Sequence, residues 1–136
     1  MANYPIQDVE GIGPANAAKL EGAGIKNTDA LLNASKTPAD RKALAEKSGI
    51  SDKQILKWAN MVDLYRVKGI GSEYSELLEA SGVDTVPELA TRNAANLAAK
   101  MIEVNDAKSL TRTVPSEKVV TGWIDHAKTL ERALQY

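Results

Sequence analysis

Apolar residues in this chain return at intervals of three and four. Between Asp52 and about Arg66 they fall at Ile55, Trp58, Ala59, Val62 and Tyr65, one face of a helix. From about Ser116 to Gln135 the stripe is Val120, Trp123, Ile124, Ala127, Leu130 and Leu134, which predicts one last helix over that whole span. Punctuation residues set other boundaries. Pro14 suits the first turn of a helix that Gly22 or Gly24 ends. Thr37-Pro38-Ala39-Asp40 reads as N-cap, first-turn proline and first-turn acid, with Gly49 as the stop. Ser51 with Gln54, and Thr85 with Glu88, have capping-box spacing. No useful window alternates apolar and polar residues at a period of two, aromatics make up 4% of the chain, and Phe is absent. An all-α protein is expected.

The pattern occurs twice. Val9-Glu10-Gly11-Ile12-Gly13 returns 58 residues later as Val67-Lys68-Gly69-Ile70-Gly71, and the same offset maps Leu20 onto Leu78, Gly24-Ile25 onto Gly82-Val83, Leu31 onto Leu89 and Leu44 onto Ile102. Farther along, the offset is 65, pairing Ser51 with Ser116, Ile55 with Val120 and Trp58 with Trp123, so seven residues are inserted within Val104 to Val114. Two repeats are expected, about 6–66 and about 67–135, forming one domain over 1–136. That length is ordinary for a single core.

Composition narrows the chemistry. With 17 basic and 18 acidic residues the net charge is -1, and 43% of residues are apolar, so the chain has the composition of a folded globular protein. Cysteine is absent, which excludes disulfides, a thiol nucleophile and thiolate zinc sites. No apolar run approaches the roughly 20 residues that cross a bilayer, and Met1 to Glu10 has no signal-peptide pattern, so a cytoplasmic protein without a membrane is expected. The acids are dispersed among lysines along amphipathic helices instead of clustering for a metal ion. His126 has no partner predictable from spacing and reads as a surface histidine, and Ser and Thr residues are accounted for as caps. No enzyme activity, cofactor or metal is expected.

A helix, an apolar-x-Gly-Ile-Gly turn and a second helix ending in Gly-Ile or Gly-Val resemble the helix-hairpin-helix motif. Glycines permit positive φ and close backbone approach, the central Ile plugs the interhelical core, and the next helix presents free N–H groups to a phosphate. The candidate nucleic-acid residues are therefore Gly11, Ile12, Gly13, Pro14 and Lys19, with Lys42, Lys53 and Lys57 from a stretch, Lys36 to Lys68, that holds eight bases against four acids. The second hairpin, Gly69, Ile70 and Gly71 with Tyr74 just after it, is followed by five acids and no base from Glu73 to Glu88, a pattern that repels phosphate. Tyr74 reads as packing or as an exposed contact. The alternative reading makes both hairpins structural, their scaffold presenting surfaces to another protein or to a second copy of itself, as a homo-oligomer.

The two hairpins, Arg41, Gly49-Ile50-Ser51, Asp63 to Gly71, Leu77 to Val83, Arg92-Asn93, Pro115 and Trp123-Ile124 together resemble an uncharacterised bacterial family of domains of unknown function, built from duplicated helix-hairpin-helix-like units. Its members are sometimes labelled flap-endonuclease-like DNA-binding proteins. The resemblance spans about Ile6 to Leu130 and implies a DNA-binding module without established site residues. Only ten residues precede the first turn, so the C-terminal helix is expected to pack against the first hairpin and close the repeats through a pseudo-two-fold, with Trp58 and Trp123 in related core positions. All four turn glycines are expected in tight turns, some with positive φ.

Overall fold

The computed structural model describes residues 3–136. It is all-helical. A 3₁₀ turn, Ile6–Asp8, precedes α1 (Gly13–Gly22), α2 (Thr28–Asn33), α3 (Pro38–Ser48), α4 (Asp52–Leu64), α5 (Ser72–Ala80), α6 (Val86–Ala90), α7 (Ala94–Lys108) and α8 (Glu117–Ala127). Among the described residues no strand forms, only an isolated bridge between Pro5 and Asn27.

Local chemistry starts and stops these helices. The side chains of Asn27, Thr37, Ser51, Thr85, Asn93 and Ser116 each accept a hydrogen bond from the backbone N–H three residues on, satisfying a donor that the first turn leaves free. Gly49 ends α3 in the left-handed region at φ +77°, a conformation costly for residues with a Cβ. The seven extra residues of the second half are shared between two elements. Helix α7 is longer than α3, 15 residues against 11, and a loop then runs from Ser109 to Pro115. That loop is held by Asn105, whose side chain both donates to the carbonyl and accepts from the N–H of Thr111.

Two apolar cores form. The first gathers Ile6, Val9, Ile12, Leu20, Leu31 and Leu44 around Ile55, Trp58 and Val62 of α4 and Tyr65, which caps that helix. The second gathers Val67, Ile70, Leu78, Leu89 and Met101 around Val120, Trp123, Ile124 and Ala127 of α8. Helix α4 also faces α5 and α6 and sends Leu64 into the second core, so it is the wall common to both.

Two expectations are corrected. Helix α8 packs on α6 and α7, in its own half, and not on the first hairpin. The first hairpin is covered by what precedes it instead: Ile6 is fully buried, the Ile6 N–H donates to the Lys26 carbonyl, and Tyr4 and Thr28 are joined by two hydrogen bonds. Second, α8 stops at Ala127, where the Thr129 hydroxyl and N–H both bond the His126 carbonyl and divert it from the helical ladder. The chain then leaves the second half and places Leu134, 1% exposed, in the first core. Of the four turn glycines, Gly11, Gly13 and Gly69 have positive φ, in line with the expectation that some would, whereas Gly71 has φ -117°, ordinary extended backbone that places no demand for glycine there.

Candidate functional site at the two Gly-Ile-Gly turns

The turns are built alike. Ile12 and Ile70, 1% and 4% exposed, plug the first and second cores, and the glycines beside them carry the chain around. Neither following helix has a side-chain cap, so free N–H groups lie at the start of α1 and of α5. Gly11 and Gly13 are exposed, with φ +85° and +68°, and nothing lies within 4 Å of where their Cβ atoms would be. Pro14 occupies the exposed first turn of α1.

The residue before each turn is tied down by a different partner. The Glu10 N–H donates to Ser72 Oγ at 2.8 Å, linking the first turn to the first residue of α5. Its counterpart Lys68 donates its N–H to Nδ1 of His126 at 2.9 Å. His126 is thus half-buried and bonded to the second turn, a contact across 58 residues that helical spacing does not show.

Charge is distributed unevenly among the cavities at the turns. A groove of about 240 Å³ beside Gly11 is lined by Glu10, Glu76 and Glu79 as well as Lys57 and Lys108. Burial, then the nearby charges of Glu10 and Glu79, push the Glu76 carboxyl above its ordinary range. The start of α5 opens on a second cavity of about 450 Å³ whose charged walls are Asp8 and Glu73. On the other side of that turn, a cavity of about 510 Å³ is lined by Tyr4, Tyr65, Arg66, Lys68 and His126 with the backbone of Gly69 to Gly71.

The bases of the expected site are spread over several helices. Lys19, Lys42 and Lys53 are exposed on three different helices, α1, α3 and α4. Lys57 stands 3.5 Å from Glu79. Arg41 is 5% exposed and donates to the carbonyls of Ser35 and Gln135 at 2.8 and 2.7 Å. Arg66 is held by the buried Asp63, Nε to Oδ1 at 2.6 Å. Burial raises the Asp63 carboxyl and Arg66 counteracts that rise. Three of the eight bases in the Lys36 to Lys68 stretch are therefore engaged within the fold.

Tyr74 is a packing residue. Its ring lies 5.2 Å from that of Trp123, and its hydroxyl donates to the Thr113 carbonyl in the inserted loop. Tyr65 is buried as its place on the apolar face predicts, but its ring contact with Tyr4 was not visible in the spacing; Tyr4 stands edge-on to Tyr65 at 5.6 Å. The Tyr65 hydroxyl lies near those of Ser72 and Ser75 without reaching hydrogen-bonding geometry with either, and burial pushes it above its ordinary range. Among the described residues no three His, Asp or Glu are grouped to hold a metal ion, and no helix is long and apolar enough to cross a membrane. No curated protein and no solved structure matches the chain. The match that does exist covers residues 10–130, including both turns, and by it the chain belongs to the family described as a domain of unknown function, DUF4332.

Proposed function

We propose that this chain is a non-enzymatic binding module of the helix-hairpin-helix type, with two tandem repeats in one domain, whose Gly-Ile-Gly turns are structural joints and whose ligand is another protein. The observation that carries this reading is the excess of carboxylates beside Gly11 and at the start of α5. Glu10, Glu76 and Glu79 line the groove beside Gly11 together with Lys57 and Lys108, Asp8 and Glu73 line the cavity at Gly71 and Ser72, and the Glu10 to Ser72 hydrogen bond links the first turn to α5. A nucleic-acid backbone laid along the starts of α1 and α5 would meet those acids first, and like charge opposes the counterion release that drives such binding.

A second reading, weak sequence-independent contact with nucleic-acid backbone, is favoured by one observation: the open, uncapped start of α1 at Gly11 to Pro14. An NMR titration with a short random duplex at about 50 mM salt separates the two, because nonspecific backbone binding is strongest there. In the first reading the amides of Gly11, Ile12, Gly13 and Ala15 do not move. Saturable shifts confined to those amides would establish the second.

A further inference from the structure

We propose that the cavity lined by Tyr65, Arg66, Lys68 and His126 is a binding site for a small molecule with a terminal oxyanion, either phosphate or carboxylate. At about 510 Å³ it falls within the range of small-ligand sites. Tyr4 and Tyr65, packed edge to face, form an aromatic wall.

Hydrogen-bonding capacity selects the ligand. Nδ1 of His126 accepts the Lys68 N–H, so the neutral ring keeps its proton on Nε2, which becomes a donor. Arg66 gives Nε to Asp63, while its Nη2 is buried and without a partner. The Tyr65 hydroxyl is buried beside those of Ser72 and Ser75, so that residue gives the cavity its ring and not a donor. Buried donors in native proteins nearly always find acceptors, so the orphan Nη2 of Arg66 calls for an explanation. Lys68 adds an exposed ammonium that Asp63 does not neutralise. Among the described residues no carboxylate lines the cavity. A wall of donors with one uncompensated positive charge fits a group that only accepts hydrogen bonds and carries negative charge. The acids of the turn face the neighbouring cavity, so a small anion enters where a polyanionic strand crossing both turns is repelled. The proposal does not rest on the identity of the protein partner.

The test is an NMR titration of the full chain with phenyl phosphate, benzoate and uncharged phenol as probes, each to about 20 mM, where a millimolar site is nearly full. The expected result is a saturable shift of the His126 and Tyr65 side-chain signals with one or both anions and none with phenol. Which anion binds identifies the oxyanion. Lys68→Gln, a surface change, should weaken that binding about tenfold, while Lys100→Gln on α7 leaves it unaltered. Absence of shifts with both anions, equal shifts with phenol, or undiminished binding by Lys68→Gln would overturn the site.

Discussion

Arg41 and Gln135 are 94 residues apart in the chain, yet the Arg41 guanidinium donates to the Gln135 carbonyl at 2.7 Å. The Gln135 N–H returns a bond to the Lys36 carbonyl, and the Tyr136 hydroxyl donates to the Asn60 side chain. After α8 has finished in the second core, this tail therefore fastens the first. Leu134→Ala should cost about 2 to 5 kcal/mol, the range for truncating a buried leucine. Denaturant unfolding reads this directly, and a loss within about 0.5 kcal/mol would mean that the tail does not dock.

The two glycines of the second turn differ in what they tolerate. Gly69 has φ +93°, and a Cβ there would sit 3.0 Å from Nε1 of Trp123. Gly69→Ser should therefore destabilise by about 1 to 3 kcal/mol. Gly71 is the N-cap of α5 in extended backbone, with ordinary space for a Cβ. Gly71→Ser should be neutral or stabilising by about 0.3 kcal/mol, since serine supplies the cap that glycine lacks. Thermal melts of the two variants moving in the same downward direction would contradict the assignment.

Acid pH tests the carboxylate groove. The folded-state pKa of Glu76 is raised above its ordinary 4.5, so the folded chain binds this proton more tightly than the unfolded one. Stability from this group is then present at low pH and lost as pH rises through the window above 4.5. Glu76→Gln should be more stable than the parent at pH 7 and match it near about pH 3, where both states of the parent are protonated. A variant less stable than the parent at pH 7 would show that the Lys57 side of the groove outweighs Glu10 and Glu79.

Much of the helical architecture was legible because its signals are local. Thr37, Ser51 and Thr85 cap as their spacing indicates, and Ile55, Trp58, Ala59, Val62 and Tyr65 are buried together on α4. The 58-residue offset paired Ile12 with Ile70, and both plug cores. What failed was the assignment of faces to partners. Leu134 continues the apolar period of α8, but periodicity records only that a residue is apolar and not which core receives it. Charge counting failed likewise at Arg41 and Arg66, since it does not see that a guanidinium is consumed by carbonyls or by a buried carboxylate. The bases beside the second turn had one signal, the run Arg66-Val67-Lys68 immediately before Gly69. His126 had none, being brought there by tertiary packing.

The claim that the turns are joints and not a nucleic-acid grip is tested most directly by anisotropy of a labelled random duplex, titrated with the protein at about 50 mM and about 200 mM salt. No saturable binding is expected up to about 0.1 mM protein at either concentration, the weak end of nonspecific affinity. Micromolar binding at the lower salt that weakens steeply at the higher, and that disappears when Lys19, Lys42, Lys53 and Lys57 are all changed to Glu, would contradict it.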